Sequence, residues 1–160
     1  MKKEGSHSEF IDQRDDELLR AFRRVLTSGR GESLAEMFGM AAKEKASRFW
    51  VSERRATEVI SLMMRRPESV DTMLPEKRRM FEEILRRVRV KMREREGRPL
   101  YHYVFDAVNE EAPEFYLTPK SAKIIIYAAR RRRKAAAAAR LSIAKSKLTQ
   151  NLNGNEHGKI

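Results

Sequence analysis

Residues 33–66, SLAEMFGMAAKEKASRFWVSERRATEVISLMMRR, lie without a gap over residues 99–132, PLYHYVFDAVNEEAPEFYLTPKSAKIIIYAARRR, at a shift of 66. Nine of the 34 pairs are identical: Leu34/Leu100, Ala41/Ala107, Glu44/Glu110, Ala46/Ala112, Phe49/Phe115, Ala56/Ala122, Ile60/Ile126, Arg65/Arg131 and Arg66/Arg132. Chance at ordinary residue frequencies gives about two or three. Trp50/Tyr116, Val51/Leu117, Ser52/Thr118 and Val59/Ile125 extend the frame with conservative pairs. Upstream, at a shift of 63, Leu18, Ala21, Phe22, Arg23, Arg24 and Val25 meet Phe81, Ile84, Leu85, Arg86, Arg87 and Val88. A period of this kind is the mark of a duplicated unit.

Each unit reads as three helical segments. Leu18, Leu19, Phe22, Val25 and Leu26 recur at helical spacing, as do Met80, Phe81, Ile84, Leu85 and Val88, with charged residues on the opposite faces. Ser33 and Pro99 are suited to open the second segments, whose inner stripes are Leu34, Met37, Phe38 and Ala41 against Leu100, Tyr103, Val104 and Ala107. Phe49-Trp50-Val51 and Phe115-Tyr116-Leu117 read as extended links whose rings anchor the next helix in the core. Ser52 and Thr118 then stand as N-caps of the third segments. Pro67 stops the first of these, whereas the second runs on through five consecutive alanines, so one helix is expected from about Pro119 to about Leu148.

The fold expected is all-α: two tandem, diverged three-helix units, helix-turn-helix-like, with a long basic C-terminal helix. The division is a flexible N-terminus at 1–9, unit one at 10–67, a linker at 68–76, unit two at 77–134, a basic Ala-rich extension at 135–148 and a disordered tail at 149–160. At 160 residues, 36% charged and 41% hydrophobic, the chain has too little apolar surface for a two-lobed cofactor enzyme with a deep cleft.

Charge is distributed unevenly along this frame. The formal net charge is +12, yet residues 1–114 hold 24 basic and 22 acidic groups, while 115–160 hold 11 basic groups and the single acid Glu156. The basic excess is local, and a segment without acids is suited to a polyanion. Candidate phosphate contacts there are Lys120, Lys123, Arg130, Arg131, Arg132, Arg133, Lys134, Arg140, Lys145 and Lys147. Four successive arginines on a helix point in directions about 100° apart, so one salt bridge cannot absorb them. The plain alternative is a solvated helix that keeps the protein soluble. Arg54 and Arg55 in the first turn of the third segment of unit one, with Lys120 and Lys123 in unit two, are placed to enter a major groove as recognition-helix residues. The gap of six or seven residues before that helix exceeds the usual tight turn.

Catalytic patterns are wanting. Without cysteine there is no disulfide, zinc ribbon or thiol nucleophile. His7, His102 and His157 have no partner at metal-ligand spacing, and no Gly-rich phosphate loop or Ser/His/Asp pattern occurs. No cofactor, metal or membrane partner is expected. No apolar run is long enough to span a bilayer, and a cytoplasmic location is expected. The expected function is non-catalytic DNA binding in a regulatory or accessory role such as transcription regulation, duplex DNA being favoured over RNA. An RNA-binding or ribosome-associated protein is the first alternative. The second is a protein-interaction adaptor, with unit one as the partner surface and a solubilising basic tail.

Overall fold

The computed structural model describes the backbone of residues 4–156 and the side chains of residues 10–154. The described chain is all-helical apart from its links. Its elements are α1 (Glu4–Ser28), α2 (Leu34–Ala42), α3 (Glu53–Arg65), a short 3-10 turn (Pro67–Val70), α4 (Pro75–Glu94), α5 (Leu100–Val108) and α6 (Pro119–Glu156).

Local chemistry sets these boundaries. The Ser33 hydroxyl accepts the Glu36 N–H, the Ser52 hydroxyl accepts the Arg55 N–H, and the Thr118 hydroxyl accepts the Ser121 N–H, satisfying one orphan donor at the start of α2, α3 and α6. Pro75 opens α4 with a φ already suited to helix. Gly29 follows α1 at a φ of 65°, a left-handed turn that a side chain would oppose. α6 continues through 149–156, a stretch expected as a disordered tail. No proline interrupts it, and the Thr149 hydroxyl bonds back to the Lys145 carbonyl within the helix. α1 likewise starts at Glu4, inside the stretch expected as flexible, and the expected linker at 68–76 contains the buried Val70.

The helices are partnered across the halves of the chain. α2 packs on α6 and α1, while α3 packs on α5 and α4; α1 also packs along α6. One core collects Leu18, Val25, Phe49, Ile60, Ile84, Val88, Val104 and Ile126, all fully buried. Each such side chain contributes about 1.5–3 kcal/mol relative to exposure. Phe22 stacks on Phe38 with ring centroids 4.9 Å apart, and Phe38 meets Tyr127 edge-on at 5.6 Å, joining α1, α2 and α6. The aromatic links enter the core: Phe49 and Tyr116 stack at 5.9 Å.

The two links meet each other. Ala46 and Ala112 form an isolated antiparallel bridge, the Ala46 N–H donating to the Ala112 carbonyl at 3.0 Å and the Ala112 N–H returning at 2.8 Å. The Phe49 N–H donates to the Val108 carbonyl at 3.0 Å, and the Phe115 N–H to the Ala42 carbonyl at 2.9 Å. The link between α2 and α3 is thus ten residues, 43–52, longer than expected. Its middle is held by the opposing link instead of by a tight turn.

Candidate nucleic-acid interface

The last buried residue of α6 is Ala129, and from Arg130 to Gly154 the helix is exposed throughout. At 1.5 Å per residue this exposed length is about 37 Å. At about 100° per residue, Lys120, Lys123, Arg130, Arg131, Lys134 and Lys145 share one face within an arc of about 100°. None of the six forms an ion pair with a described side chain.

Arg132, Arg133, Arg140 and Lys147 fall on the other side of the helix, toward α1. α1 supplies acids there that no count along the C-terminal segment could reveal. Arg132 reaches Asp15 at 2.9 Å and Asp12 at 3.5 Å, and Arg133 reaches Asp16 at 3.3 Å. Asp15 is the one buried charged residue among those described, and Arg14 holds its other carboxylate oxygen at 2.8 Å. Arg140 lines the same cleft beside Asp12 and Asp16. Of the ten candidates on α6, Arg132 and Arg133 are therefore engaged in fastening the helix to α1, Arg140 and Lys147 lie on that same side without an ion pair to a described side chain, and the other six share the opposite face.

That face is widened by a residue from another helix. Arg23 of α1 lines a shallow groove of about 530 Å³ with Tyr127, Arg130, Arg131, Arg133 and Lys134. Half-buried Tyr127 is the floor, its ring carrying Lys123 Nζ 6.0 Å above its centroid. In the sequence Arg23 stands only as a match to Arg86. Its place on the polar face of α1, one turn from Arg20 and next to Arg24, was the available signal.

Arg54 and Arg55 are not part of this groove. Both lie at the start of α3, where Glu58 pairs with Arg54 at 3.3 Å and with Arg55 at 3.9 Å. Arg54 lines a separate groove between α3 and α5, with Thr57, Ser61, Tyr101 and Phe105. Arg48, beside them in sequence, is an architectural residue. Its guanidinium donates to the Phe49 and Val51 carbonyls and sits 4.8 Å from the Phe10 ring and 5.5 Å from the Trp50 ring.

Among the described residues no group of three or more His, Cys, Asp or Glu side chains is arranged to hold a metal ion. His102 stacks on Tyr101 at 4.5 Å, whereas the side chains of His7 and His157 lie outside the described residues. No described helix is long and apolar enough to cross a membrane. No protein-family model matches the chain, and neither a curated protein nor a solved structure does.

Proposed function

We propose that this protein binds nucleic acid without catalysing a reaction, in a regulatory or accessory role, with duplex DNA as its polyanion. The solvent face of α6 makes the phosphate contacts. The observation that carries this reading is the row Lys120, Lys123, Arg130, Arg131, Lys134 and Lys145 on one helix face, unneutralised by any described acid and flanked by Arg23. A straight cationic face about 37 Å long is matched to successive phosphates of a duplex, where each contact releases counterions. Such contacts position the protein without reading sequence; any base reading falls to the exposed helix starts.

The architecture proposed with it is two diverged copies, units 10–67 and 77–134, related by an approximate two-fold axis through the Ala46–Ala112 bridge. Support comes from the hydrogen bonds, whose ends exchange at a shift of 66: Phe49 to Val108 answers Phe115 to Ala42. On this reading α3 and α6 are equivalent helices, helix-turn-helix-like in carrying Arg54, Arg55, Lys120 and Lys123 at their starts but joined through ten-residue links.

The test is a salt titration of binding to duplex DNA, single-stranded DNA and structured RNA. Binding through four to six phosphates predicts a slope of log K against log salt of about −4 to −5 on duplex. Replacing Arg130, Arg131 and Lys134 by alanine is expected to make that slope shallower by about 2–3. Absence of binding at low salt overturns the reading, and preferential binding to structured RNA overturns its choice of DNA.

A further inference from the structure

We propose that the groove between α1 and α6 is a binding site for a chain of linked phosphates, as in inorganic polyphosphate or the tail of a nucleoside triphosphate. Seating such a chain stands on the groove's own geometry. Its consequence, that a filled groove holds duplex less tightly, rests on the nucleic-acid reading above.

Cations from two helices converge on this groove. Arg23 of α1 lines it together with Arg130, Arg131 and Lys134 of α6, around Tyr127, and no acid is in the lining. Arg133, also there, is held by Asp16 at 3.3 Å. The other four make no ion pair with a described side chain. Like charges gathered without a counter-charge repel one another, and an anion between them relieves that cost. A single phosphodiester brings one negative charge, and a duplex laid along α6 meets it with a convex surface. Linked phosphates bring several charges to one place. The volume of about 530 Å³ lies within the range of about 300–1,000 Å³ that small-molecule sites occupy.

The other half of the chain treats the matching arginines differently. At the shift of 63, Arg86 stands over Arg23 and Glu83 over Arg20, and at the shift of 66 Arg130 stands over Met64. Glu83 pairs with Arg86 at 2.7 Å and with Arg87 at 2.9 Å. These are the i,i+3 and i,i+4 pairs that an arginine-rich helix face ordinarily makes. Beside the groove that acid is replaced by a cation: α1 carries Arg20, and neither Arg23 nor Arg24 has an ion-pair partner among the described side chains. Charge that α4 neutralises internally is thus left on α1 for a ligand from outside.

Calorimetric titration of the full chain with inorganic tripolyphosphate, at low salt and without divalent metal, is expected to show saturable binding. Orthophosphate at matched ionic strength should bind at least about tenfold more weakly, because it brings fewer charge-assisted hydrogen bonds. Arg20→Glu rebuilds the acid of α4 one turn before Arg23 and is expected to weaken tripolyphosphate at least about tenfold, as is Arg23→Ala. Arg89→Glu makes the same charge change as Arg20→Glu but on α4, and should leave the affinity unchanged. Arg20, Arg23 and Arg89 are all exposed, so helical content by circular dichroism should not move. Adenosine triphosphate binding only as tightly as tripolyphosphate assigns recognition to the phosphates alone; tighter binding that Tyr127→Leu brings back to that level assigns a nucleotide. Absence of saturable binding overturns the inference, as does orthophosphate binding equally well or Arg89→Glu losing as much as Arg20→Glu. Tripolyphosphate binding without duplex binding leaves this site standing and removes the nucleic-acid reading, and duplex binding without tripolyphosphate binding does the reverse. Where both bind, saturating tripolyphosphate is expected to weaken duplex at least about tenfold, and unchanged duplex affinity overturns the shared use of the groove.

Discussion

Asp15→Asn separates what α1 does for the fold from what it withholds from a polyanion. The substitution keeps the side-chain volume and removes the buried negative charge that holds Arg14 at 2.8 Å and Arg132 at 2.9 Å. Removing one partner of a fully buried pair costs about 3–5 kcal/mol. Here the Asp15 side chain is 5% exposed but Arg132 is 42% exposed and keeps Asp12 at 3.5 Å, so both arginines can rehydrate. The expected loss is discounted to about 1–2 kcal/mol, which for a chain of this length lowers the melting temperature by about 2–8 °C. Binding moves the other way. If the proposed reading holds, loosening Arg132 from α1 leaves it with Asp12 alone, and duplex affinity is expected to rise with a salt slope steeper by up to about 0.9. The assays are thermal melting by circular dichroism and a salt titration well below the midpoint. Asp16→Asn is the comparison, because its pair with Arg133 is exposed on both sides and its loss costs about 0.5 kcal/mol or less. An unchanged midpoint for Asp15→Asn, or affinity that falls in step with stability, refutes the division of α6 into a fastening side and a phosphate side.

Three further outcomes are open to measurement. Hydrogen bonding from Arg86, with Arg87 beside it, holds the Glu83 carboxylate at about 2, against 4.5 when unperturbed. Its stabilisation is thus present above about pH 4.5 and lost as pH falls toward 2; Glu83→Gln should lower the neutral melting midpoint by a few degrees and flatten this part of the acid limb. Burial, with Glu83 and Glu114 adding to it, pushes the Tyr116 phenol up to about 12, so stability is lost as pH rises from 10 toward 12. Ultraviolet titration should find one of the four tyrosines silent until late in that range, and Tyr116→Phe should abolish the lag. Finally, fragments 1–71 and 72–160 should each lack a cooperative melt alone and recover one when mixed, because α2 and α3 find their main partners in the other fragment. Independent melting of either fragment contradicts that dependence.

Much of the helix pattern was legible because it is written locally. Ser33, Ser52 and Thr118 cap where their positions before apolar stripes indicated, and Phe49, Ile60, Val104 and Ile126 are buried as their spacing required. Which helices pair was not legible. The stripe of α2 is equally satisfied by α3 or by α6, and periodicity carries no address for the partner. The surroundings of the basic residues were hidden for the same reason. Counting acids along 115–155 gave an unbalanced helix, yet Asp15 and Asp16 reach it from 117 residues away. Arg23 was indistinguishable from its solvated neighbours until α1 lay against α6.

The exchange of partners between the two halves has a consequence for the order in which the chain is made. A ribosome that has released residues 1–70 has released α1, α2 and α3, but α2 lacks α6 and α3 lacks α5. Phe38 has by then only Phe22 of α1 to stack on, and Tyr127 of α6, its edge-on neighbour, is still to come. α6 follows all of these helices in the chain, and its arrival at α1 and α2 closes the core there. A polypeptide cut short before Pro119 would therefore leave α1 and α2 without the helix they pack on, with their apolar faces open to proteolysis.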